Sequence, residues 1–161
     1  MIKKYTPLLF FIGISLSAGF IGSIFTVSSV RTWYVDLSQP FFSPPSYVFG
    51  PVWSALYVLM GISAYLVWAK GIKKKEVKTA LKIFFLQLVL NTLWSILFFG
   101  LQSPLLALVE IVLLWLLILI TIKKFASISN AAGLLLVPYI LWVSFASILN
   151  FSIVLLNPAA L

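Results

Sequence analysis

The stretch WYVDLSQPFFSPPSYVFGPVW, residues 33–53, interrupts an otherwise almost continuous run of apolar sequence. Four of the eight prolines fall in it (Pro40, Pro44, Pro45 and Pro51), with two of the six tryptophans (Trp33 and Trp53). A connection longer than about 12–15 residues without secondary structure of its own is usually either functional or disordered. Disordered segments are poor in aromatic residues, so this stretch reads as an ordered, functional element between two strongly apolar segments.

The composition on either side fixes the class. Of 161 residues, 63% are hydrophobic and only 9% charged, with a mean hydropathy of +1.17. A soluble domain carries about 25% charged residues, and so few could not cover the surface of a soluble protein of this size. The chain reads as an integral membrane protein. Cysteine and histidine are absent, which removes disulfides, thiol nucleophiles, Cys/His zinc sites and the commonest general base. The acids are Asp36, Glu76 and Glu110. Chemical capacity rests on aromatic rings, amides and hydroxyls.

Spanning a hydrocarbon core takes about 20 apolar residues of helix. Five segments qualify: about Pro7 to Val27, Tyr47 to Ala69, Thr79 to Leu101, Leu105 to Ile122, and Ala131 to Leu156. Barrel strands would alternate in polarity, and these runs are continuous. The first segment follows Lys3 and Lys4 as a signal peptide would, but it is long for that role and no A-x-A site follows; it is expected to remain. Its small residues, such as Ser15, Gly19 and Ser23, fit close helix packing or a shallow cavity wall. With five spans, all ten lysines fall on one side and Arg31 on the other. The positive-inside rule then makes the N-terminus cytoplasmic and the C-terminus external in a bacterial cell membrane. The charge of +8 points to anionic lipid headgroups and not to nucleic acid.

Local signals mark the ends. Ser103 and Pro104 suit the start of the fourth span, Gly100 the stop of the third, and Asn130 the cap of the fifth. Pro138 predicts a kink within the fifth. Pro51 either bends the first turns of the second span or, if Gly50 is the cap, is its first helical residue.

Gln87, Asn91 and Trp94 recur at spacings of four and three, so they share one helix face. Amides in hydrocarbon are costly unless satisfied, which turns that face inward. It serves either as interhelical packing glue or as the polar anchor of an apolar ligand pocket. Trp53 and Tyr57 lie one turn apart on the second span, and Pro138 and Trp142 on the fifth. Trp68 fits an interfacial belt, and Trp115 faces lipid or packs. A cavity roofed by the first loop could hold both Trp53 and Trp142. Glu110 is the acid inside a span, either functional or reaching for the interface.

The motifs WYxxLxxPxFxPP (residues 33–45), FGPVWxxLYxxMG (49–61), YLVW (65–68), QLxLNxxW (87–94), FFG (98–100) and PYxxWxxFAxxLN (138–150) occur in order. With them the chain resembles the TspO/MBR family of tryptophan-rich sensory and translocator proteins, the peripheral benzodiazepine receptors. The resemblance implies an all-α bundle of five transmembrane helices over residues 1–161, with a long structured first loop, commonly a homodimer. It implies binding of porphyrins such as protoporphyrin IX, and of benzodiazepine-like ligands, between the helices under that loop. Porphyrin would be a ligand, with no covalent cofactor and no metal. By motif position the pocket would comprise Tyr34, Pro44, Phe49, Trp53, Tyr57, Asn91, Trp94, Trp142, Ala146 and Leu149. A receptor is the first reading. The alternatives are a light- and oxygen-dependent porphyrin-degrading enzyme working through Trp53 and Trp142, and a transporter of tetrapyrroles or small hydrophobic anions. The chain departs from the family pattern at Phe42 and Tyr47, where tryptophans are usual, and at Glu110, where aspartate is usual. No basic residue follows Asn150, which argues against sterol binding.

Overall fold

The computed structural model describes residues 2–158. Its helices are α1 (Ile2–Val30), α2 (Trp33–Asp36), α3 (Phe49–Trp68), α4 (Lys75–Ser95), α5 (Pro104–Ile128), α6 (Asn130–Leu135) and α7 (Val137–Leu156). Five helical stretches are long and apolar enough to cross a membrane: Tyr5–Val30, Ser46–Trp68, Lys75–Gly100, Pro104–Ile128 and Asn130–Leu156. The chain is an all-α integral membrane protein. Large apolar side chains such as Phe20, Val89, Val109, Leu141 and Phe151 are exposed on the outside of the bundle, as a protein solvated by lipid requires.

The helices overrun the apolar windows wherever a lysine ends the window but not the helix. α4 starts at Lys75 and α5 continues through Lys123 and Lys124 to Ile128. A long lysine can stay helical while its head snorkels to water. The last span is not one kinked helix. It breaks at Leu136, two residues before Pro138, because the proline ring excludes the carbonyl of residue 134 from a helical ladder. The Leu136 N–H turns back to Gly133 O at 3.2 Å. The carbonyl of Ala132 instead accepts from Ser63 Oγ at 2.7 Å, so the break is satisfied by a neighbouring helix. Asn130 does not cap this segment. It is the first helical residue after the extended Ser129, and no side-chain cap bond is made.

A single 3₁₀ turn, Ser46–Val48, leads into α3. Pro51 is therefore the third residue of α3, in the first turn, where a missing N–H costs little, and Gly50 lies inside the helix and is not a cap. Beyond Ser95 the chain widens into a π-helical turn, Ile96–Gly100, closed by Leu101 N–H to Ile96 O at 2.8 Å. The helix ends at Gly100, but the left-handed residue beyond it is Gln102, with φ 52°.

α1 packs on α3 and α4, α4 on α5, α5 on α7, and α3 on α6. The close approach of α1 to α3 depends on glycine: a Cβ at Gly61 would overlap the backbone of Ile12, and one at Gly19 would overlap the ring of Tyr57. The small residues of α1 thus serve packing. Interhelical bonds from Thr92 Oγ1 to Ala18 O (3.1 Å) and from Ser29 Oγ to Phe99 O (2.6 Å) fix α1 against α4 and its π-turn.

The first loop is ordered by short-range bonds and one long-range clasp. Ser43 N–H bonds Pro40 O at 3.0 Å, and Gln39 Nε2 donates to Tyr34 O at 3.1 Å. Asn157, just after α7, accepts from Ser38 N–H at 2.8 Å and donates to Ser38 O at 2.9 Å. These two bonds fasten the loop across the end of α7. Each is worth about 0.5–1.5 kcal/mol net. Asn157→Ala should therefore raise amide hydrogen exchange over residues 37–45 by about tenfold, with the interior of α4 unchanged.

Candidate functional site

The interior between α3, α4, α5 and α7 holds the polar centre of the molecule. Asn91 is buried and bonded on both sides: its Oδ1 accepts from the Tyr57 hydroxyl, and its Nδ2 donates to Tyr139 Oη at 3.0 Å. Tyr139 Oη donates in turn to Gln87 Oε1 at 2.8 Å, and Gln87 Nε2 reaches Met60 Sδ at 4.0 Å. The donors run in one direction, from Tyr57 through Asn91 and Tyr139 to Gln87. One turn further along α4, Trp94 Nε1 donates to Asn150 Oδ1 at 3.2 Å, and Asn150 Nδ2 donates to Pro104 O at 2.8 Å. The amide face of α4 therefore acts as interhelical glue. A ligand that used these amides as an anchor would compete with bonds already made.

Aromatic rings surround this centre. Trp53 stacks on Tyr57 with centroids 5.6 Å apart and meets Tyr139 edge-on at 6.2 Å. Trp94 stacks on Phe98 of the π-turn at 5.0 Å. A chain of rings joins the first loop to α7 and to the start of α3: Phe42 to Phe145 (6.3 Å), Phe145 to Trp142 (5.5 Å), and Trp142 to Phe49 (5.9 Å). Offset and edge-to-face pairs of this kind add about 0.5–1.5 kcal/mol each beyond their burial.

Four of the residues singled out in the sequence, Trp53, Asn91, Trp94 and Ala146, line one internal gap, completed by Ile111, Leu114 and Val143. The gap measures about 10 Å³, room for about one water molecule. Tyr57 stands behind Trp53. Trp142 does not line the gap; its ring packs against Phe49 and Phe145. Tyr34 and Leu149 belong to a second cluster with Phe98, Ala107 and Ile153, against which Phe49 also packs. Burial pushes the Tyr34 phenol above its ordinary value, and a hydrogen bond with Ser43 opposes that shift. Pro44 is half-buried in the loop.

Sequence reasoning left Tyr139 out, although it joins α4 to α7. The signal was available: Tyr139, Val143, Ala146 and Asn150 follow the helical period, so one face of α7 carries a hydroxyl, two gap-lining residues and an amide. Trp115 packs, donating from Nε1 to Ser144 Oγ at 2.8 Å. Glu110 is buried within the bundle. It is 5% exposed, and neither carboxylate oxygen has a hydrogen-bond partner among the described residues.

The arrangement surrounds a small internal gap with aromatic rings and apolar side chains. It offers little acid–base chemistry, since Glu110 is the only acidic side chain among the buried residues. Comparison with known proteins gives the family. The TspO/MBR family model matches residues 11–156. The chain is 48% identical over 158 residues to the tryptophan-rich protein TspO of Chlorobaculum tepidum, covering 98% of this chain and 100% of that one. It is 36% identical over 125 residues to the tryptophan-rich sensory protein of Cereibacter sphaeroides, covering 78% and 77%. It is 37% identical over 136 residues to the translocator protein of Homo sapiens, covering 83% and 80%.

Proposed function

Because the chain belongs to the TspO/MBR family, we propose that it is a membrane receptor, or sensor, that binds a porphyrin of the protoporphyrin IX type, or a similarly flat hydrophobic molecule, between α3, α4, α5 and α7 beneath the first loop. The observation that carries this reading is the convergence of Trp53, Asn91, Trp94 and Ala146 from three helices on one internal gap, with Trp142, next to the gap-lining Val143, joined through Phe145 to Phe42 of the loop. Indole and phenol rings stack on a flat macrocycle, and a pocket with few polar groups suits such a ligand.

A gap of about 10 Å³ is far below the 300–1,000 Å³ or so of a drug-sized site. Binding thus requires the rings to part, and the loop fastened through Ser38 and Asn157 is the element that moves with them. Porphyrin is a ligand in this reading, not a resident cofactor. The receptor is read as a homodimer among membrane lipids, with the N-terminus cytoplasmic. The lysines at the start of α4 and the end of α5 support that orientation under the positive-inside rule.

The test is titration of purified protein with protoporphyrin IX, followed by tryptophan fluorescence. The wild type should be quenched in a saturable way. The double variant Trp53→Phe, Trp142→Phe should lose part of the quenching and about threefold in affinity, since phenylalanine puts a smaller ring in place of each indole. Unchanged quenching and affinity would falsify the pocket assignment.

A further inference from the structure

Almost every buried polar side-chain atom among the described residues has a hydrogen-bond partner; the exceptions are Oε1 and Oε2 of Glu110 and Nε1 of Trp142. Both residues flank the gap in sequence without lining it. Glu110 precedes Ile111 and lies one turn before Leu114 on α5. Trp142 precedes Val143 and lies one turn before Ala146 on α7. Those four neighbours are gap-lining residues. The antiparallel register of α5 and α7 is fixed at two levels, by Asn150 Nδ2 to Pro104 O and by Trp115 Nε1 to Ser144 Oγ. Glu110 falls between those levels, opposite the turn of α7 that carries Ala146.

A carboxyl inside a span is expensive to keep, and such residues mark ligand or ion pathways by default. Glu110 has no Lys or Arg within salt-bridge reach among the described residues, since no ion pair forms there, and the amides and hydroxyls near it are committed to one another. What it lacks is a donor. The Tyr57 and Tyr139 hydroxyls are spent on Asn91 and Gln87, and no other donor among the described residues, the unpaired Trp142 Nε1 included, bonds either carboxylate oxygen.

We propose that Glu110 accepts a hydrogen bond from an outward-pointing N–H group of a ligand, which makes the site selective for flat aromatic molecules that carry an edge N–H over isosteres that lack one; the inner N–H groups of a porphyrin take no part in it. This inference rests on the reading of the gap as the ligand site. It assigns Glu110 to the ligand and leaves Asn91 and Gln87 to hold the helices together. Without such a bond the carboxyl stays buried with no partner, at the full cost of an orphaned polar group.

The probes are carbazole and dibenzofuran, tricyclic isosteres that differ only in N–H against ring oxygen. Their affinities are measured by calorimetry on the full chain in detergent, with protoporphyrin IX titrated alongside into the wild type. Carbazole should bind the wild type about tenfold or more tightly than dibenzofuran. The preference should vanish in Glu110→Leu and fall below wild type in Glu110→Gln, which keeps the shape and one neutral acceptor. Glu110→Leu also removes an unpaired buried carboxyl, so it should melt no lower than wild type. A wild-type ratio near one, or a preference kept in both variants, overturns the assignment of Glu110. Saturable porphyrin quenching without a carbazole preference overturns Glu110 alone. Binding of none of the three probes overturns the ligand-site reading itself.

Discussion

Gly61→Ala should destabilise the protein by about 3 kcal/mol, the upper part of the range for overpacking a closed interface. The added Cβ would overlap the backbone of Ile12, and backbone cannot rotate aside as a side chain can. α1 and α3 must separate along their contact. In lipid, no hydrophobic force draws them back together; close packing is what holds them. The measurement is thermal unfolding in detergent followed by intrinsic fluorescence. Gly13→Ala is the control. A Cβ there meets nothing within 4 Å, and alanine is the better helix former by about 0.5–1 kcal/mol. Its melting temperature should equal or exceed the wild type's. Equal, small effects at the two positions would show that α1 is not seated on α3 as described.

Tyr139→Phe should cost about 2–3 kcal/mol. One hydroxyl accepts from Asn91 Nδ2 and donates to Gln87 Oε1, so its removal strands two buried polar atoms. Each orphaned group costs about 1–3 kcal/mol. Interhelical bonds in membranes average nearer 0.6 kcal/mol, but that figure describes pairs whose members find other partners. The unpaired Glu110 carboxyl and Trp142 Nε1 bond neither amide in the fold, so we use the orphan cost. Tyr57→Phe removes a terminal donor and strands only Asn91 Oδ1, so it should cost about half as much. If both variants melt with the wild type, the series from Tyr57 to Gln87 does not bear on stability.

The five spans were legible because a membrane imposes length and apolarity on every crossing segment. Their ends were less so, because lysine-bearing turns leave the hydrocarbon without leaving the helix, as at Lys75, Lys123 and Lys124. Pro138 announced a disruption, but not that Leu136 would carry the break or that Ser63 would take up the freed carbonyl, since that depends on which helix passes nearby. The spacing of Gln87, Asn91 and Trp94 required an inward face, and it did turn inward. What spacing could not show was whether those amides met one another or a ligand. Tyr139 decides that in favour of one another, and it does so across 48 and 52 residues of sequence. Trp53 and Trp142 read as equivalent in the chain. In the fold only Trp53 lines the gap, while the Trp142 ring packs against Phe49 and Phe145. The burial of Glu110 was open in the sequence because distance along a helix does not say which side faces lipid when both sides are apolar.

The central claim is that ligand enters between α3, α4, α5 and α7. A structure of the protein with protoporphyrin IX bound tests it most directly. The account predicts the macrocycle between Trp53 on one side and the Trp94 and Ala146 walls on the other, with the Phe42–Phe145–Trp142 rings displaced toward the loop and the Tyr57–Asn91–Tyr139–Gln87 series intact. A porphyrin seated on the lipid-facing surface of the bundle, with the gap still closed around Trp53, would contradict it.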